Sequence, residues 1–156
     1  MACQNEPRGE AVAPEAWRGR LTDLLHDCTA SAPGEQGERL LEAYALFADG
    51  APAAVSVLAA VPEPRGFGHL LACGAWESAA LALVNPQCAF MLSRAGSGAA
   101  LATMTVPGQG TESTVEAATP ALALLSAQLA GLIELIEDNG CGARTPAAPR
   151  HASRSH

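Results

Sequence analysis

A histidine and two cysteines are the residues of this chain best suited to nucleophilic chemistry. His69 ends the sequence Gly66-Phe-Gly-His, and Cys73 and Cys88 follow it. A histidine within hydrogen-bond reach of a thiol can remove its proton and create a nucleophile. The spacing of these residues permits a contact between the histidine and a thiol but does not require one. A small Cys/His-dependent enzyme is therefore kept as an alternative function. A separation of more than about 6 Å between His69 and every cysteine would exclude it.

The five cysteines give no sign of a metal site or a disulfide framework. They are Cys3, Cys28, Cys73, Cys88 and Cys141. None lies in a C-x-x-C pair or a Cys/His cluster, and their number is odd. Residues 1–14 are polar and carry no apolar signal-peptide region. We therefore expect a cytoplasmic protein with free thiols and no cofactor, in which Cys28, Cys73 and Cys88 are ordinary small apolar residues.

The remaining polar candidates are interpreted as surface and turn residues. His26 is expected on the solvated face of a helix, and His151 and His156 lie in the C-terminal tail. The pairs Glu38/Glu42 and Glu134/Glu137 are typical of solvated helix faces. Arg65-Gly-Phe-Gly-His and Arg94-Ala-Gly-Ser-Gly are each incomplete as phosphate loops, and a turn explains the second. No catalytic, cofactor-binding or metal-ligating residue is assigned.

The charge of the chain disfavours a nucleic-acid partner. The formal net charge is −7, and all nine basic residues are arginines. Three of them, Arg144, Arg150 and Arg154, lie in the tail. A duplex-binding surface needs several cations on one face to neutralise phosphates, and the arginines here are scattered.

The hydrophobic periodicity predicts one domain over residues 15–140, between a disordered lead-in (1–14) and a disordered tail (141–156). Helices are expected over 15–28, 35–48, 76–84 and 120–138, and a hairpin over 88–94 and 99–106. Residues 51–61 fit a helix or a strand, with a slight preference for helix, and 65–75 are expected to form a loop. This order predicts an α+β protein in which helices cover one or both faces of a small antiparallel sheet.

The segment after Glu116 carries no charge until Glu134, which raises the possibility of a membrane span. A spanning helix needs about 20 apolar residues. This run is shorter, contains Ser126 and Gln128, and has no arginine near either end to orient it. A buried core helix is favoured, and a small membrane-active protein is a further alternative.

Two stretches carry a family resemblance. Glu116-Ala-Ala-Thr-Pro-Ala-Leu-Ala-Leu-Leu opens the last helix, and Trp76-Glu-Ser-Ala-Ala-Leu-Ala-Leu-Val-Asn-Pro leads into the hairpin. Together they resemble small alphaproteobacterial and phage proteins of the ABA-sandwich type. The resemblance covers about residues 20–133 and implies a helix–sheet–helix sandwich with no assigned activity or site residues. The expected function is a non-enzymatic, phage-type protein that binds an unknown protein partner or forms a homodimer, with no nucleic acid or membrane as partner.

Overall fold

A computed structural model describes residues 12–141 of the 156-residue chain. The predictions for residues 1–11 of the lead-in and 142–156 of the tail lie outside this part. Five helices and three strands follow one another. They are α1 (Pro14–Ala30), α2 (Gln36–Ala48), α3 (Pro64–Ala72), α4 (Trp76–Leu83), β1 (Ala89–Arg94), β2 (Ala100–Thr105), β3 (Ser113–Ala117) and α5 (Pro120–Cys141). The predicted α+β class is confirmed.

The two N-terminal helices form where the hydrophobic periodicity of the sequence predicted them. On α1 the buried side chains are Trp17, Leu21, Leu24 and Cys28, which share one helical face. A short 3₁₀ turn, Pro33–Glu35, joins α1 to α2. The Trp17 ring lies 6.2 Å from the Phe47 ring, centroid to centroid, so aromatic packing holds the two helices together.

The prediction of a loop over residues 65–75 is wrong, because most of this segment is α3. Pro64 occupies the first turn of the helix, where proline costs no hydrogen bond. The Glu63 carboxylate accepts hydrogen bonds from the Arg65 and Gly66 amides at 3.0 and 2.7 Å. Phe67 is buried and stacks on Tyr44 with ring centroids 4.8 Å apart. The cap and this contact offset the low helix propensity of two internal glycines.

The preference for a helix over residues 51–61 is also wrong. The segment forms successive turns, in which the Val55 carbonyl accepts from the Leu58 and Ala59 amides at 2.9 and 3.0 Å. Ala59 then makes an isolated antiparallel bridge with Val84. Val55, Leu58 and Ala59 are buried, so the segment closes one side of the core without regular structure.

The sheet contains the expected hairpin and a third strand that was not predicted. β1 and β2 are antiparallel, with Phe90 opposite Met104 and Leu92 opposite Ala102. Gly98 has φ of 90° and its amide donates to the Ala95 carbonyl at 3.0 Å, which closes the turn between them. β3 pairs with β2 on the other side, so the strand order is β1-β2-β3. β2 is therefore central, and β1 and β3 are edge strands.

The last helix occupies the centre of the fold. The Leu122 amide donates to the Thr119 hydroxyl at 3.2 Å, which confirms Thr119 as the N-cap. α5 packs on β2 and β3 on one side and on α1, α2 and α4 on the other. On β2 only Ala100, Ala102 and Met104 are buried, and they face α5. The sequence left open whether helices cover one or both faces of the sheet, and the helices of residues 12–141 cover one face.

α5 is the one helix in the described range that is long and apolar enough to cross a membrane. Its most apolar 18-residue window has a mean hydropathy of 1.4, and 72% of that window is buried inside the fold. A core helix of a soluble protein has the same properties. In its middle, the Gln128 side-chain nitrogen donates to the Leu83 carbonyl at 2.6 Å and so caps the end of α4, while the Oε1 atom of the same side chain has no hydrogen-bond partner among the described residues.

Candidate functional site

The His69 ring lies against the Cys73 thiol. His69 lies in the last turns of α3 and Cys73 is the C-cap residue that follows it, with Sγ 3.6 Å from Nε2 and 3.9 Å from Nδ1. Residues four apart on a helix share one face, which explains the contact. The distance condition for a Cys73–His69 dyad is therefore met. The contact could not be derived from the sequence, since this segment was expected to be a loop.

The surroundings of the pair are poor for catalysis. Cys73 is the C-cap of α3, and its thiol lies at the exposed end of the helix. Both side chains are exposed to water, so the site has no enclosed space in which to orient a substrate. No other side chain in the described residues hydrogen-bonds to the His69 ring to orient it. The geometry is that of a surface contact between neighbouring residues.

The other cysteines of the described range are less accessible. Cys28 is fully buried on α1, and this burial raises the pKa of its thiol from 9.0 to about 12. Arg39 opposes the rise, and its effect is smaller than that of burial. Burial also raises the pKa of the half-buried Cys88 thiol, partly offset by a backbone hydrogen bond from Asn85. Neutral, shielded thiols of this kind are poor nucleophiles.

Charged residues form surface ion pairs rather than a convergent site. Arg39 bridges Glu42 at 2.7 Å and Glu38 at 3.4 Å, so the arginine between them offsets part of the negative charge of the Glu38/Glu42 face. Arg18 pairs with Glu137 at 2.7 Å and ties the start of α1 to the end of α5. An exposed pair such as Arg18–Glu137 contributes little to stability.

Among residues 12–141, no cluster of three or more His, Cys, Asp or Glu side chains is arranged to hold a metal ion. His26 is exposed on α1, where the sequence placed it, while His151 and His156 lie outside the described residues. The groove between α1 and α2 is open and lined partly by Asp23, Asp27 and Glu42. Arg20 lines the same groove and pairs with Asp49, and the nearby Arg39 pairs with Asp27 and Glu42.

The most unusual surface of the molecule is strand β1. All six of its side chains are exposed, although a strand that borders a core normally buries every second one. Phe90, Met91 and Leu92 have exposed fractions of 43%, 67% and 39%. Phe90 and Leu92 lie on the same sheet face as the buried Met104 and Ala102, yet α5 packs beneath β2 and β3 and leaves β1 beyond its edge. Three consecutive large apolar side chains are thus left in water.

Within residues 12–141, one side of the β1 backbone has no strand paired with it. The Ala95 amide donates to the Ala99 carbonyl at 2.8 Å, which sets the alternation of hydrogen bonds between β1 and β2. Met91 and Ser93 consequently pair with β2, whereas the N–H and C=O groups of Phe90, Leu92 and Arg94 point away from the sheet. We call this strand, with its exposed side chains and free backbone groups, the β1 edge.

No protein-family model, curated protein or solved structure matches this chain. The resemblance to ABA-sandwich phage proteins therefore stays a prediction that rests on the two sequence stretches alone. Sequence reasoning placed β1 correctly and missed its importance, because exposure depends on where α5 lies in the folded chain. The sequence did contain one usable sign, since a single charged residue, Arg94, occurs between Glu77 and Glu112.

Proposed function

We propose that this protein is a non-enzymatic binding protein of the cytoplasm that holds a partner polypeptide at the β1 edge. The observation that carries the proposal is the exposure of all six side chains of an edge strand, three of them consecutive and apolar. Edge strands with free backbone groups recruit a further strand unless they are protected. β1 contains no proline or lysine and has its one charge at its end.

The binding mode is β-strand addition. The backbone groups of Phe90, Leu92 and Arg94 supply hydrogen bonds to any extended chain, and the side chains on the two faces supply selectivity. Phe90 and Leu92 would be covered on the α5 side of the sheet, and Met91 on the opposite side. The exposed and poorly oriented Cys73–His69 contact supports binding over catalysis, and the burial of α5 supports a core helix over a membrane-active one.

Site-specific photo-crosslinking tests this function. Phe90 is replaced by the photoreactive residue p-benzoylphenylalanine, and the protein is irradiated in the cells that produce it. We expect a covalent adduct whose partner peptide is identified by mass spectrometry. Leu41, an exposed residue of α2 with an exposed fraction of 54%, provides the matched control position and should give no adduct. Equal crosslinking from both positions, or none from Phe90, would contradict binding at the β1 edge.

A further inference from the structure

Building on the proposed function, we propose that the strand added at the β1 edge is β1 of a second copy of this chain. The two strands run antiparallel about a two-fold axis at Leu92 and join two three-stranded sheets into one six-stranded sheet. Phe90 of each copy then lies opposite Arg94 of the other. The protein is a homodimer in this assembly.

The backbone geometry selects this class of register. Only Phe90, Leu92 and Arg94 direct both their N–H and C=O groups away from β2. In an antiparallel pair, two such residues must face each other to exchange hydrogen bonds. Centring the axis on Leu92 satisfies all three: Leu92 meets Leu92, and Phe90 meets Arg94 on either side. Shifting the register between the two β1 strands by one residue would place Phe90, Leu92 and Arg94 opposite residues whose N–H and C=O groups already bond to β2.

Charge placement favours the second copy and the antiparallel direction. Arg94 is the only charge on β1, and the two-fold register separates the two arginines to opposite ends of the strand pair. Each guanidinium instead meets a Phe90 ring on the same sheet face, an arrangement suited to a cation–π contact. A parallel pair would place Arg94 beside Arg94. The antiparallel dimer therefore needs no compensating acid from a different protein.

The acidic net charge does not oppose contact at this edge. The carboxylates of the described residues lie on the helices, in the loops and on β3, and none lies between Glu77 and Glu112. β1, β2 and their turn thus carry no acidic residue, so two copies can approach edge to edge with their negative surfaces apart. The opposite edge of the sheet is less open, because α1 packs against β3. β1 is the edge available for sheet extension.

A designed disulfide tests the register directly. In a full-length background with Cys28→Ala and the other native cysteines changed to serine, Leu92→Cys should form a dimer-linking disulfide on mild oxidation. Opposed residues that exchange hydrogen bonds have Cα atoms about 5.5 Å apart, within the range a disulfide spans. Phe90→Cys is the matched control: in this register the two Phe90 residues are more than about 13 Å apart and should not link. Efficient linking at Phe90 with none at Leu92 would overturn the register.

Sedimentation equilibrium of the reduced protein with its native cysteines provides a second measurement. The wild-type chain should show a monomer–dimer equilibrium. Leu92→Lys places two ammonium groups opposite each other and should raise the dimer dissociation constant at least tenfold, about 1.4 kcal/mol. The control Leu41→Lys adds the same charge on exposed α2 and should leave the constant within threefold. A wild-type monomer at all concentrations, or a dimer insensitive to Leu92→Lys, would overturn the inference.

The two proposals fail in distinguishable ways. A monomeric protein whose photo-crosslinker at Phe90 captures a different polypeptide would overturn the homodimer and leave binding at the β1 edge intact. A monomeric protein with no adduct at Phe90 would overturn both. An adduct between two copies, together with the Leu92 disulfide, would support both.

Discussion

Side chains acquire their chemical character from their place in the fold. Cys28 and Cys73 are both cysteines on helices, yet Cys28 is enclosed by the core and Cys73 is exposed at the end of α3. Burial holds Cys28 in its neutral form, while Cys73 contacts His69 on the open surface. Cys28 is closed to a substrate and Cys73 has no enclosed substrate site beside it, which is why we assign no catalytic role to a thiol.

Gly131 is the glycine in the described range at which an added methyl group would meet the closest neighbour. A Cβ added there would lie 2.5 Å from the Val106 Cγ2 atom, closer than packed carbon atoms come. We expect Gly131→Ala to lower the free energy of unfolding by about 1–3 kcal/mol, measured by urea denaturation.

Gly19→Ala is the control for this change, because a methyl group added to Gly19 on α1 would lie within 4 Å of no atom beyond its chain neighbours and the local helix backbone. That substitution should raise stability by up to about 1 kcal/mol through helix propensity alone. A stabilising Gly131→Ala would show that α5 and Val106 are not in the close contact described.

At the scale of elements, end effects decide which segments become helices. α3 contains two glycines and only nine residues, and it forms because Pro64 and Glu63 begin it favourably and Phe67 anchors it. α5 has a Thr119 cap and an apolar surface that is buried nearly all round. The stability of α3 depends on its cap and on one contact, whereas the stability of α5 depends on burial.

Removal of the Glu63 side chain tests the dependence of α3 on its cap. Glu63→Ala leaves the Arg65 and Gly66 amides without their acceptor and should cost about 0.5–2 kcal/mol of stability. Glu77→Ala, in the first turn of α4, removes a carboxylate that caps no amide and should cost less. Urea denaturation of both variants provides the measurement. Equal losses would mean that charge, rather than the two hydrogen bonds, explains the effect.

At the scale of the whole molecule, α5 is the element that every other layer contacts. It contacts β2 and β3 as well as α1, α2 and α4, and its fully buried leucines belong to the shared core. One consequence is that the sheet and the helices should unfold together. Another is that α5 covers β2 and β3 and leaves β1 outside, which creates the β1 edge.

Truncation of a leucine at the centre of α5 should therefore weaken the entire fold. Leu125 has an exposed fraction of 0%, and we expect Leu125→Ala to cost about 2–5 kcal/mol. Trp17 on α1 and Trp76 on α4 report the same transition by fluorescence as the helices do by circular dichroism. Leu41→Ala, on the exposed side of α2, should change stability by less than about 0.5 kcal/mol. Separate transitions for the two signals would contradict a shared core.

Local patterns in the sequence determined the regular elements with strong periodicity or clear ends. The apolar stripe of α1, the Thr119-Pro120 start of α5 and the Gly98 turn of the hairpin each depend on residues close together in the chain. Such signals are complete within one segment, because helical and strand periodicities arise from the local backbone. The α+β class followed from the order of these elements.

The tertiary structure alone decided the remaining features. α3 needed Tyr44 beneath Phe67, residues 51–61 needed Val84 for their bridge, and β3 needed β2 as a partner. The β1 edge required the placement of α5, since the residues of β1 are as apolar as those of a buried strand. Burial depends on contacts between segments that are distant in the chain. A single stretch of sequence therefore does not specify which of its apolar residues another segment will bury.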